Sequence, residues 1–473
     1  MEKNNSMNSR FKKLALDTTI FALGNFLVKF IQFFLLPLYT SVMTTDQYGT
    51  AELINNLSEL CYPIFCLCIY EALFRLAIDT SIDKKKLFTN GIVIIGISLP
   101  VAAIIMFLCY KLADFQYAAY LFLLLVVISL KTIFAQFARG IGCIKEFAIS
   151  GIINILSLFF LNMFLLVYMR MGVFAYLVSL ILSNIVAIVY LFFSCKLYQY
   201  LIFEMDYYML KQMLIYCIPL IPNTLTWWFM NIFDRYVVLF ACGAELTGIF
   251  IATCKLPSII NLFSNIFQQA WQITSAKELN SPDSRVFFSE VFKFYSALVI
   301  TVCSLLIALS ERLAFFLLKG DFFSGWKYLP LLMLSAMINC YAIYFGTIYT
   351  AVKDTSRILI TTVIGTMLNI IFVFALVNLI GIYAALFAML TGYTFIALFR
   401  AIDTQKYIQL VINWKYHIIA YSIILIQTLI ISLNLRHCTF YAILLWILLF
   451  VYDAIIFGSK SLCLLRSFLQ RKY

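Results

Sequence analysis

Three cations, Lys29, Arg235 and Lys255, fall inside long apolar runs of this 473-residue chain. A fixed positive charge is costly there and marks a binding site or a pathway. A Lys ammonium offers a mobile point charge and an Arg guanidinium a planar fork, so the chemistry is anion binding, phosphate above all. Carboxylates share the runs: Glu52, Glu59 and Glu71 in one, Asp234 beside Arg235 in another. Glu52, Glu59 and Asp234 are candidates for a gate ion pair or for coupling to H+ or Na+, and no other cofactor is expected. Neighbouring helical residues diverge by about 100°, so Asp234 and Arg235 should not pair along one face, and one should bond across to another helix. Lys29 either lines a cavity or pairs with a carboxylate such as Glu59. Arg75 and Arg139, at the ends of two runs, are candidates for capturing phosphate at an inner mouth, where ordinary charge bias also explains a cation.

Other chemistries lack residues. The 13 Cys lie mostly in the apolar runs, and Cys61, Cys66 and Cys68 read as packing groups on one helix. His417 and His437 are the only His, in separate segments, so neither a metal centre nor a Ser-His-Asp triad is expected. The chain is read as a non-enzyme.

The elements that hold these residues follow from composition. At 64% hydrophobic, 12% charged and mean hydropathy +0.98, the chain belongs to the membrane class. A span needs roughly 20 apolar residues, and about fourteen runs qualify: 15–41, 47–74, 88–109, 117–137, 146–169, 173–195, 213–241, 247–272, 288–310, 327–350, 357–378, 382–401, 415–434 and 439–459. The fold class is therefore an all-α polytopic membrane protein. Of the 34 Lys and Arg, about 25 fall on one side of these runs, Lys131 and Arg400 among them, and about 6 on the other, which makes the first side cytoplasmic with both termini. The outer six are Lys111, Arg170, Arg312, Lys319, Lys327 and Arg436, three of them in the connection at 311–327. The net charge of +12 then reflects topology and anionic lipid, with no nucleic-acid partner.

An internal repeat organises the runs. MRMGVFAYLVSLILSN resembles LVNLIGIYAALFAMLTGY, with Gly172-Val173-Phe174-Ala175 matching Gly381-Ile382-Tyr383-Ala384. Gln47-Tyr48-Gly49 likewise matches Leu246-Thr247-Gly248. Six runs per copy predict two lobes of one orientation, 1–200 and 213–403, joined by a cytoplasmic linker at 201–212, with two extra helices and a tail at 404–473. Pro37, Pro219, Pro222, Pro257 and Pro330 should kink or begin spans, and the Pro219/Pro222 pair should break the seventh. Trp227, Trp228 and Trp271 are read either as sugar-stacking faces or as packing and interfacial anchors.

Several stretches are recognisable. LLPLYTSVMTTDQYGTAELI (Leu35–Ile54), EALFRLAID (Glu71–Asp79), YCIPLIPNTLTWWFMNIFDRYVV (Tyr216–Val238), GIFIATCKLPSII and FQQAWQ resemble the polysaccharide flippases of the MATE-like multidrug/oligosaccharidyl-lipid/polysaccharide exporter superfamily. The resemblance implies fourteen helices in two six-helix lobes plus two, and a bacterial inner-membrane location. It also implies transfer of undecaprenyl-pyrophosphate-linked oligosaccharide to the periplasmic leaflet for O-antigen, capsule or exopolysaccharide assembly, beside membrane lipids and with a polymerase and a chain-length regulator as partners. Such a substrate carries charge and hydroxyls that cannot cross hydrocarbon unassisted, which fits Lys29, Arg235 and Lys255. A peptidoglycan-precursor flippase and a multidrug or cation antiporter of the same superfamily are the rival readings.

Overall fold

The structure, a computed structural model, describes residues 27–470 apart from 29, 80, 113, 203, 280, 353 and 434–436, and for some helical residues, Trp227 and Lys277 among them, the backbone alone. The described segments are helical throughout, with no strand. In order they are α1 (Phe30–Val42), α2 (Thr45–Phe65), α3 (Ile69–Ala77), α4 (Lys84–Leu112), α5 (Ala118–Gly140), α6 (Ile144–Asn162, continued as a wider π turn to Tyr168), α7 (Gly172–Ser194), α8 (Tyr207–Cys217) and α9 (Leu220–Cys242). Then come α10 (Ala244–Cys254), α11 (Ser258–Glu278), α12 (Ser284–Ala308), α13 (Ser310–Leu317), α14 (Leu329–Ala351), α15 (Thr355–Ile380), α16 (Ile382–Asp403), α17 (Trp414–Ser432) and α18 (Cys438–Gln470). Helix is the expected outcome, because hydrocarbon offers nothing to an unpaired backbone amide.

Ten helices are long and apolar enough to cross a membrane, and two consecutive helix pairs raise the number to twelve among the described residues. The first expected run is described only in part, as α1, and the eighth is divided into α10 and α11. Ile97, Val101, Ile104 and Phe107 of α4 are each about three-fifths exposed, a continuous apolar face suited to lipid. The chain is a multi-pass membrane protein.

Prolines and left-handed residues set the breaks. The second span bends by 61° between α2 and α3, at a point the prolines singled out above did not mark. Pro63 lies within α2, and Leu67 and Cys68 take positive φ, so the Cys68 amide turns back to the Pro63 carbonyl at 2.8 Å. The helix of the seventh span is interrupted at residues 218–219, at Pro219, while its 45° bend falls between Thr226 and Trp228, beyond the proline pair. Pro257 separates α10 from α11, and Pro330 opens α14.

Two compact units result, one ending at Trp228 and one running from Phe229. In the first, Phe88 and Phe137 meet at 4.6 Å in a core with Leu73, Leu191 and Met213. In the second, Val238, Phe250, Val373 and Leu386 form a core. The backbones of α15 and α16 approach closely there, since a Cβ on Gly392 would lie 3.0 Å from the Gly365 carbonyl. Small residues permit such approach where lipid supplies no hydrophobic drive.

The repeat has a backbone counterpart. Gly172 and Gly381 stand at the starts of α7 and α16 with φ of +58° and +57°, a sign of φ that favours glycine. From an added Cβ, Gly172 lies 3.3 Å from the Gln47 amide at the start of α2, and Gly381 lies 3.6 Å from Cys242 Sγ at the end of α9. The last two helices, outside the repeat, dock on α12 through polar contacts. Ser304 donates to Gln427 at 2.7 Å, Gln427 donates to the Ala442 carbonyl at 2.8 Å, and Thr301 donates to Asp453.

Candidate functional site

In the second unit the polar residues of α9 turn to two different helices. Asp234, 1% exposed, accepts from Asn369 Nδ2 of α15 at 3.1 Å, and one turn earlier Met230 Sδ accepts from Thr366 at 3.3 Å. Asn231 accepts from Tyr393 of α16 at 3.2 Å. Asp234 therefore bonds across to another helix, as the helical angle dictates, and Arg235 starts from a different face. Asp234 Oδ1 and Asn369 Oδ1 are both buried without a hydrogen-bond partner among the described residues. Buried polar atoms are otherwise almost always paired, so these two acceptors stand out. Arg235 and Lys255 are half-buried, and Lys255 caps α10 at the break before Pro257.

The first unit holds a second buried carboxylate. Glu52 is 3% exposed and accepts from the Tyr176 hydroxyl at 2.9 Å and the Tyr48 hydroxyl at 3.3 Å. Tyr39 packs against both tyrosine rings and accepts from Asn162 at 3.1 Å. Two hydroxyl donors solvate the carboxylate in place of water. Glu59, two turns on, is exposed. Arg75 is exposed at the end of α3, and Arg139 at the end of α5 lies over the ring of Phe74, the residue before Arg75, with the ring centroid 4.2 Å from the guanidinium carbon. The Lys29 reading lies outside the described residues.

Two cations are deeper than the count by sides allowed. Lys131, assigned to the cytoplasmic side, stands within α5 and donates to Asn154 of α6 at 3.3 Å. Asn154 donates in turn to Asn184 of α7 at 3.3 Å, so the three residues link α5, α6 and α7. Its distance of two and a half turns from Gly140, compared with one residue for Arg139, was the signal for it. Arg400, also counted as cytoplasmic, is 5% exposed and donates to Thr361, Thr362 and the carbonyls of Ala342 and Ile358 at 2.8–3.2 Å. Those bonds make it an inter-helix tie. Trp271 is 3% exposed and stacks on Tyr344 at 5.3 Å, while Trp228 is buried with its indole on the Asn56 carbonyl at 2.9 Å. Both pack and present no face to sugar.

The segment before α8 is tied to the start of α4. Asn90 donates to the Asp206 carbonyl at 2.9 Å and accepts from its amide at 3.2 Å, and Thr89 bridges Tyr200 and Ile202. Asp206 caps α8 by accepting from the Met209 amide at 3.1 Å and pairs with Lys86 at 3.2 Å. That amide, and next the ammonium, hold its carboxyl below the usual carboxylate range.

No known family profile and no curated protein sequence matches the chain. Solved structures do. A lipid II flippase, MurJ, in an inward closed conformation is similar over 93% of this chain and 99% of its own, at 14% identity and a TM-score of 0.69. An inward-facing multidrug resistance transporter of the MATE family covers 77% of this chain and 94% of its own, at 14% identity and 0.59. A transporter of the same MOP superfamily from Pyrococcus furiosus, described as having a binding pocket of reversed polarity, gives 12%, 83% and 96% coverage and 0.51. The chain has the fold that these membrane transporters share.

Proposed function

We propose that the chain flips undecaprenyl-pyrophosphate-linked oligosaccharide repeat units from the cytoplasmic to the periplasmic leaflet by alternating access, as a non-enzymatic step of surface polysaccharide assembly. The observation that carries this reading is the set of cations within spans, Lys131, Arg235 and Lys255, in a fold shared with a lipid-linked precursor flippase. A pyrophosphate is the kind of large anion that such cations stabilise in hydrocarbon. Residues 1–200 and 213–403 act as the moving lobes about the linker 201–212, and 404–473 dock as an addition. Both termini face the cytoplasm of a bacterial inner membrane, with a polymerase and a chain-length regulator as partners. Reporters fused after Lys86 or Lys293 then score cytoplasmic and those near Thr45 or Asn378 periplasmic; reversal at two sites removes this orientation.

Export of an anion of charge near −2 from an inside-negative cell is favoured by about 2.3 kcal/mol per charge per 100 mV. Potential alone drives flipping if that charge moves uncompensated. Asp234 and Glu52 are the coupling candidates for resetting the empty carrier with H+ or Na+. A second reading, a peptidoglycan-precursor flippase, is favoured by the larger TM-score to the lipid II flippase. Proteoliposomes carrying labelled lipid-linked oligosaccharide in one set and lipid II in another decide between them under an imposed potential. Faster flipping of the oligosaccharide supports the proposal, and flipping confined to lipid II rejects it.

A further inference from the structure

The connection from α12 to α14 contains a cleft that the carrier reading does not use. α13 divides its residues sharply. Ser310, Ala314 and Leu317 are buried, while Glu311, Arg312, Phe315 and Phe316 share the opposite face, with Phe315 63% and Phe316 66% exposed. Glu311, Arg312, Phe315 and Phe316, with Phe323 and Thr439, line a cavity of about 510 Å³. That volume falls within the usual range for small-molecule sites.

The cleft has a rigid frame. The 3-10 segment Gly320–Tyr328 buries Phe322 and Trp326, and a Cβ on Gly325 would collide with Thr253 Oγ1 of α10. Lys319 closes the end of α13 by donating to the Phe315 carbonyl at 2.9 Å, with its ammonium 5.2 Å from the Phe315 ring centroid. The α18 side is pinned by Thr439, which donates to Glu311 at 3.0 Å. Glu311 is thus turned to Thr439, and Arg312 has no ion pair among the described residues.

An unpaired guanidinium beside three aromatic rings, a carboxylate and a hydroxyl suits a phosphorylated sugar. The fork takes phosphate oxygens in pairs, the rings take the apolar face of a pyranose, and the carboxylate and hydroxyl take its hydroxyls. A glycerol phosphate headgroup presents no ring to that aromatic wall. We propose that this cleft is a product-side subsite binding the glycosyl phosphate end of the carried lipid, with phosphate at Arg312 and the first sugar against Phe315, Phe316 and Phe323. It rests on the flippase reading, in which this connection faces the receiving leaflet.

The test uses the full chain in nanodiscs and citronellyl-pyrophosphate-linked N-acetylglucosamine as probe, titrated calorimetrically. Arg312→Gln and Phe323→Ala should each weaken binding, the former at least ~10-fold, with Arg312→Lys between Gln and wild type. Lys111→Gln, another outer cation, should bind as wild type does. Equal affinity in Arg312→Gln and wild type overturns the proposal, as does displacement of the probe by an equal concentration of phosphatidylglycerol. Flipping in proteoliposomes separates the two readings. Wild type that flips, with Arg312→Gln binding equally well, removes the subsite and leaves the flippase; wild type that binds through Arg312 without flipping does the reverse.

Discussion

Asn369 donates its amide to Oδ2 of Asp234 at 3.1 Å, from α15 to α9, and Oδ1 of both residues is left with no hydrogen-bond partner among the described residues. Leaving a buried acceptor unpaired costs about 1–3 kcal/mol, a cost that the coupling role proposed for Asp234, binding of H+ or Na+, would offset.

Replacing the carboxylate tests that role. Asp234→Asn should lower flipping at least ~10-fold while thermal stability is kept or raised, because a buried charge without full compensation is removed. The checks are a proteoliposome flipping assay and a thermal unfolding midpoint. Unchanged flipping together with a lower midpoint would leave Asp234 a purely structural role.

Lys131 should behave as a substrate-facing cation. Lys131→Ala should reduce surface polymer severely at normal membrane abundance, and Lys131→Arg should retain part of it because the charge is preserved. Asn154→Ala, which removes its partner and the bond to Asn184 but keeps the ammonium, should be milder. Full export by Lys131→Ala would reduce the Lys131–Asn154–Asn184 chain to packing.

The paired glycines predict a matched cost. Gly172→Ala and Gly381→Ala should each destabilise by about 1–3 kcal/mol, since φ is positive at both. At Gly96 an added Cβ meets nothing within 4 Å, and Ala there should stabilise α4 by up to about 1 kcal/mol. Thermal unfolding of the three variants reads the difference; equal shifts would remove the backbone explanation.

Asp206 predicts an acid limb. Its carboxyl is held low by the Met209 amide and by Lys86, so the stabilisation is present above the unfolded value of about 3.9 and is lost as pH falls through the lower folded value. Asp206→Asn keeps a good helix cap but cannot titrate. Between pH ~5 and ~3 its unfolding midpoint should fall less than that of wild type. Parallel curves for the two proteins would show that the cap and the Lys86 pair contribute nothing to acid stability.

Element type and position were legible in the sequence because hydrocarbon leaves the backbone few choices: every apolar run folds as helix where it is described, and Pro219, Pro257 and Pro330 mark boundaries. Gly172 and Gly381 exposed the repeat, since a turn with positive φ admits few residues. The divergence of Asp234 from Arg235 also followed from helical geometry alone. Depth and partnership did not. Lys131 and Arg139 sit eight residues apart on one helix, and counting charges by side merged them, although one donates within the helix bundle and the other stacks at its end. Arg400 reads as a loop cation until Thr361, Thr362 and the Ala342 carbonyl close around it. Glu52 owes its burial to Tyr176, 124 residues away, and Trp271 loses its free face to Tyr344. Period and hydropathy are properties of a single helix, whereas the solvation of a buried charge depends on which donors neighbouring helices bring to it, and only the tertiary structure decides that.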